Sequence, residues 1–172
     1  MKDIKLTVSN LAWNDAELSK IILLFKENKI DILEFAPNIL LKNNFTKKNI
    51  LNVKNFWKKN KIKLYSMQSV LFGINDAYLF GNVNQKKIFL NEIKRKIKIA
   101  KNLGVKIIVF GSPKNRKIFF KKDKKLLNVE AISIFKKIAE FSEKNKIVFC
   151  LEANPKIYNC DYINTTTEAF KI

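Results

Sequence analysis

Short apolar runs recur along this chain about 36 residues apart, each followed by a stretch whose apolar positions repeat every three or four residues. The first run, Ile4-Lys5-Leu6-Thr7-Val8-Ser9, alternates apolar and polar side chains as a strand does. Asn14 then stands as a helix N-cap with Glu17 at the third helical position, a capping box. Leu18, Ile21, Ile22 and Phe25 follow at helical spacing, and the pattern ends near Lys29. A second strand, Ile32 to Ala36, stops at Pro37, and Thr46 caps a helix bearing Ile50, Val53, Phe56 and Trp57 on one face. The third strand, Lys63 to Met67, leads to Gln68 and a loop from Ser69 to Asn84, long enough to suggest a functional role.

A helix from about Gln85 to Leu103 turns Ile88, Ile93, Ile97 and Ala100 inward and ends at Gly104, suited to a left-handed C-terminal position. The fourth strand, Lys106 to Phe110, is nearly all apolar, as a parallel strand covered on both faces should be. A lysine-rich stretch from Lys117 to Lys125 reads as a solvated loop edge. Next comes a helix from Asn128 to about Lys144 with Ile132, Phe135, Ile138 and Ala139 inward, then a fifth strand, Ile147 to Leu151. Strands alternating with helices in this way predict a parallel α/β fold. Two architectures fit: a complete five-stranded doubly wound sheet, or five of the eight units of a barrel of the TIM type. Thr165-Thr166-Thr167-Glu168 is another capping box, opening a helix with room for only about a turn before Ile172. One turn cannot cover a strand, so the expectation is a single domain cut short, an incomplete (β/α) barrel with open strand edges and self-association through them.

Composition narrows the function. The chain has 172 residues, 47% of them apolar, which is ample for one core. No apolar run approaches the roughly 18 residues of a membrane span, and no signal peptide precedes the first strand, so a soluble, cytoplasmic chain is expected. Cys150 and Cys160 have neither a CxxC neighbour nor a histidine; Cys150 is expected in a buried strand as a small apolar thiol. The net charge is +19, yet only Arg95 and Arg116 of the 34 basic residues are arginine, the preferred residue for forked phosphate and base contacts. Lysines spread over every helix and loop read as solvated surface, and no nucleic-acid partner is expected. The chain has no histidine, which excludes Ser-His-Asp and Cys-His catalysis and any histidine metal ligand of its own. No GxGxxG or Walker pattern occurs.

What remains is a ring of polar groups at strand ends: Trp13 with Asn14, Glu34, Gln68, Lys114-Asn115-Arg116, and Glu152 with Asn154. Parallel βα folds place chemistry at the C-terminal ends of strands. Glu152, directly after the fifth strand, suits a general base or a ligand of a divalent ion, or an ion pair with a neighbouring lysine. Glu34 suits either a contact to substrate hydroxyls or a structural ion pair. Lys114 and Arg116, after a Gly-Ser-Pro turn, suit a phosphate or carboxylate group.

Five segments at successive strand ends carry a resemblance: Val8-Ser9-Asn10-Leu11-Ala12-Trp13, Leu33-Glu34-Phe35-Ala36-Pro37, Tyr65-Ser66-Met67-Gln68-Ser69, Val109 to Arg116, and Leu151-Glu152-Ala153-Asn154-Pro155. Together they resemble the sugar phosphate isomerase/epimerase proteins of the xylose isomerase-like TIM-barrel superfamily, over the first five of eight units. The resemblance implies that Glu152 is the first ligand of a divalent metal (Mn²⁺, Mg²⁺ or Zn²⁺), with the other ligands on strands six to eight. It implies metal-assisted proton transfer through an enediolate on a sugar or sugar phosphate, with Trp13, Glu34, Gln68, Lys114, Arg116 and Asn154 as substrate contacts. By itself this chain is expected not to retain the ion, and activity in this form is in doubt. The alternatives are a non-catalytic sugar-phosphate-binding module and, from the same superfamily, an abasic-site endonuclease, whose histidine ligands are absent here.

Overall fold

The structure, a computed structural model, describes residues 6–120 and 123–172. Its strands are β1 (Val8–Ser9), β2 (Ile32–Phe35), β3 (Lys63–Met67), β4 (Ile107–Phe110) and β5 (Val148–Leu151). The helices are α1 (Leu18–Glu27), α2 (Pro37–Leu40), α3 (Lys47–Lys59), α4 (Val83–Leu103), α5 (Lys124–Lys144) and α6 (Thr166–Phe170). All the strand pairings are parallel, in the order β1-β2-β3-β4-β5. A doubly wound sheet reverses its strand order partway; a barrel adds each strand beside the last. The sequential order is therefore that of the barrel type, carried through five βα units.

Register and strand alternation divide the sheet into two faces. Phe35, Met67 and Ile108 form one row in register and are 0%, 0% and 1% exposed, because they meet the helices. Phe110 continues this face, edge-on to Phe89 of α4 at 5.7 Å and stacked on Phe149 at 5.4 Å. Each such buried large apolar side chain contributes about 2 kcal/mol. The neighbouring row, Ser9, Glu34, Ser66, Ile107 and Val148, lies on the inner face; Ser66 at its centre is 5% exposed and Val148 on β5 is 59% exposed. Among the described residues β1 and β5 are the sheet edges. For that reason Cys150 is half-buried instead of buried.

Several expected boundaries hold and others move. Thr46 caps α3, its hydroxyl accepting from the Asn49 N–H at 3.3 Å. The Asn14 N–H donates to the Glu17 carboxylate at 3.1 Å, with a short 3-10 turn before α1. Ile4 and Lys5 of the expected first strand lie outside the described residues, and the strand itself covers Val8–Ser9. Helix α4 starts two residues earlier than its apolar repeat suggests because Asn82 and Gln85 cap each other's backbone N–H groups at 2.9 and 3.0 Å. Helix α5 likewise starts early, on Asp123; of its expected inward set Ile138 is buried and Phe135 packs edge-on to Phe110 at 6.0 Å, while Leu127 and Ala131 take the places expected for Ile132 and Ala139. Ile132 is 43% exposed and Ala139 is exposed; apolar side chains ring this helix, and its packing on α4 selects which of them enter the core. Phe56, placed inward on α3 by its spacing, is 41% exposed.

Gly104 takes φ 84 and closes α4 by donating to the Ala100 and Lys101 carbonyls. Gly104→Ala forces a side chain into the left-handed region and is expected to lower stability by about 1 kcal/mol, read from a urea melt. A shift above about 2 kcal/mol would contradict this account, since the site is sterically open, with only the Lys54 side chain nearby at 3.9 Å.

Candidate functional site

The inner-face row ends in a connected polar group. Ser66 Oγ donates to Glu34 Oε1 at 2.9 Å, and Gln68 Nε2 donates to Glu34 Oε2 at 3.1 Å and to Ser9 Oγ at 2.7 Å. Three strands supply one member or more each, because register sets Ser9, Glu34 and Ser66 side by side. Of the two expectations for Glu34, the ion pair is absent among the described residues. The carboxylate is instead oriented by neutral donors. Ser9 and Ser66 were not singled out from the sequence, although they alternate with apolar neighbours and so had to face Glu34.

Gly111 and Glu152 extend the same face on β4 and β5, since they follow Val109 and Cys150 by two residues and the strands pair in register. A Cβ on Gly111 would meet Glu152 Oε2 at 2.7 Å and Asn154 Oδ1 at 3.1 Å. Glycine here lets the β5 end lie close against β4. The Glu152 carboxylate is exposed and has no hydrogen bond or ion pair among the described residues; its backbone N–H is tied to the Phe110 carbonyl at 3.1 Å.

The structure does not bring Lys114 and Arg116 together. Residues Pro113–Arg116 form a 3-10 turn after Ser112 at φ 43, and with three residues per turn two positions along it lie about 120° apart, on different faces. Lys114 is exposed; Arg116 is 0% exposed. Its Nη1 donates to the Tyr162 and Ile163 carbonyls at 3.1 and 3.3 Å, and its Nη2 to Asn154 Oδ1. Burial lowers its pKa, while the nearby Cys160 and Glu152 act in the other direction. Arg116 is a clamp on the segment after β5. Asn115 holds the long loop after β3, donating to the Ala77 carbonyl at 2.7 Å and accepting at its own carbonyl from the Leu79 N–H at 2.9 Å. That loop buries Leu71, Leu79 and Phe80, so it is packed cover for the strand ends.

Trp13 stands apart from the Glu34 group. It meets Phe25 edge-to-face at 6.0 Å and lines a cleft between α1 and α3. Among the described residues no three His, Cys, Asp or Glu side chains converge. Glu34 has both oxygens engaged, and Glu152 alone offers an open carboxylate on the inner face. These residues do not amount to a metal centre. No helix among the described residues is long and apolar enough to cross a membrane.

No family model matches the sequence, and no curated protein does either. Solved structures do. One is a D-psicose 3-epimerase from Clostridium cellulolyticum H10, solved with D-tagatose, at TM-score 0.71 and 20% identity over 96% of this chain and 57% of that one. Another is the 3-keto-D-glucoside 4-epimerase YcjR from E. coli, at TM-score 0.64 and 17% identity over 88% and 56%. A third is the IolI protein with a bound zinc atom, at TM-score 0.61 and 15% identity over 86% and 51%. This chain spans little more than half the length of the structures it matches. What they share with it is the fold, a parallel βα barrel of the TIM type, carried here through five βα units.

Proposed function

We propose that this chain, which carries the xylose isomerase-like barrel fold over five βα units, recognises a sugar with the inner-face strand ends of an isomerase/epimerase-like protein. The observation that carries this reading is the Glu34 carboxylate, half-buried and oriented by Ser66 and Gln68, with no cation on it among the described residues. A carboxylate keeps lone pairs beyond two hydrogen bonds and accepts readily from vicinal hydroxyls. The Gln68 amide oxygen and Ser9 hydroxyl add an acceptor and a donor beside it. Glu152 and Asn154 lie on the same inner face at the β5 end, where they would face the far side of a bound ring. Glu152 would hold one position of a divalent ion there, and the ion would supply polarisation of a sugar carbonyl. Because Glu152 is one ligand and not a centre, no catalytic step is assigned to this chain's own residues.

A phosphate-binding reading through Lys114 and Arg116 has less behind it, since Arg116 is spent on internal carbonyls. An abasic-site endonuclease reading lacks any histidine to work with.

The test is titration of the ¹⁵N-labelled chain with D-tagatose and D-fructose, followed by two-dimensional NMR. The Gln68 side-chain amide and backbone signals of Glu34 and Gln68 should shift with a Kd on the order of 1 mM, and Glu34→Gln should weaken binding about tenfold. Sugars that leave these signals in place, or a Glu34→Gln chain that binds as the native one does, would defeat the proposal.

A further inference from the structure

We infer that the cleft between α1 and α3 is a separate carbohydrate site, built for an uncharged saccharide. The cleft has a volume of about 880 Å³, within the range of small-molecule sites. It lies in the helix layer: Asn10 follows Ser9 but turns to the other side, where its Oδ1 accepts from the Ala36 N–H at 2.8 Å. It shares no residue with the Glu34 group, and the inference does not rest on that reading.

Three features choose the ligand. Asn10 lines the cleft with its oxygen already used, and its amide nitrogen has no protein acceptor among the described residues. That N–H donor is open to an acceptor on a ligand. Phe72 and Phe56, 72% and 41% exposed, present aromatic rings along the walls, surfaces on which the C–H face of a pyranose packs. Asn52 also lines the cleft, and its exposed amide serves a hydroxyl as donor and as acceptor; Asn38 is already held by Lys96 and the Phe72 carbonyl.

Charge completes the argument. Asp15 and Lys42 are the charged residues lining the cleft, and they neutralise each other across its rim at 2.8 Å. Among the described residues no free cation is left there for a phosphate, so a neutral sugar is favoured over a phosphorylated one. Trp13, expected among the substrate contacts at the strand ends, belongs to this cleft.

The chain's two tryptophans, Trp13 and Trp57, both line the cleft, so intrinsic fluorescence reports its occupancy. Maltose, cellobiose and glucose 6-phosphate are the probes. A saturable change is expected with at least one disaccharide, with a Kd on the order of 1 mM, and none with glucose 6-phosphate at the same concentration. Phe72→Ala, a surface change that leaves the fold alone, should weaken the response about tenfold, whereas Glu34→Gln should not alter it. Asp15→Asn, which frees Lys42, should create a response to glucose 6-phosphate. Silence with both disaccharides, a native preference for the phosphorylated sugar, or an unchanged Phe72→Ala response would each overturn the inference. Equal weakening by Glu34→Gln would do so too, because the two places would then be one site.

Discussion

Replacing Arg116 with methionine is expected to lower the stability of this chain by about 3 kcal/mol and to release the segment after β5. The guanidinium is fully buried and holds the Tyr162 and Ile163 carbonyls and the Asn154 amide oxygen. Methionine fills similar space and removes the cost of burying a charge. It also takes one donor from each of three acceptors: Asn154 Oδ1 is left without a partner, while the Ile163 carbonyl keeps the Asn154 N–H at 3.2 Å and the Tyr162 carbonyl keeps only the weak Cys160 thiol donor at 3.2 Å. The loss of these three bonds outweighs the gain because each is charge-assisted and methionine replaces none of them. The clamp is imperfect as built: Arg116 Nε is buried without a partner. Arg116→Lys keeps the charge but not the fork, and should fall between native and methionine. Urea midpoints give the loss, and hydrogen exchange at Asn154 and Asn164 gives its location. A methionine chain within about 0.5 kcal/mol of native, with exchange unchanged, would show that the clamp does not hold the segment.

The same residue marks how far the sequence could be read. Its scarcity among lysines drew attention to it, and a role in binding phosphate followed from its chemistry. What sent it inward was the direction of a 3-10 turn and the arrival of carbonyls 46 and 47 positions later, which no local pattern carries. Elements written in local terms were legible: the caps at Asn14, Thr46 and Thr165, the stop at Gly104, and the strands that end on polar groups. Glu34 was legible as a candidate because an acid in an apolar strand stands out, while its partner Ser66 was not, because serine in a strand is unremarked. Helix α5 shows a different limit. When apolar side chains surround a helix, only the neighbouring helix decides which of them face in. Asn10 and the cleft it lines depend on α2, a single turn begun by Pro37 that the apolar repeat does not announce.

Lys96 is the other large expectation, and it concerns pH. This lysine lies in the buried stripe of α4 at 0% exposure, its Nζ donating to Asn38 Oδ1 at 2.8 Å and lying 4.2 Å from the centre of the Phe45 ring. Burial, helped by the charge of Arg95 and opposed by Glu92, lowers its pKa from 10.5 to about 8. Between those values the unfolded chain holds a proton that the folded chain has released, so stability rises as pH rises through the window. The full gain is on the order of 3 kcal/mol. Tyr162 acts against it above pH 10: burial pushes its phenol up to about 12, so the unfolded chain ionises first and folding loses ground. Stability should therefore climb from pH 8 and peak near about pH 10. Relief of repulsion among the other lysines has the same sign, so the discriminating comparison is with Lys96→Met. That chain loses the bond to Asn38 and no longer buries a charge, a trade that should leave it more stable than native at pH 7 by about 1–2 kcal/mol. Its advantage should vanish by pH 10, where the native lysine is itself mostly neutral. Urea melts of both chains at pH 7, 8.5 and 10 measure this, and two parallel curves would mean that Lys96 carries no such penalty.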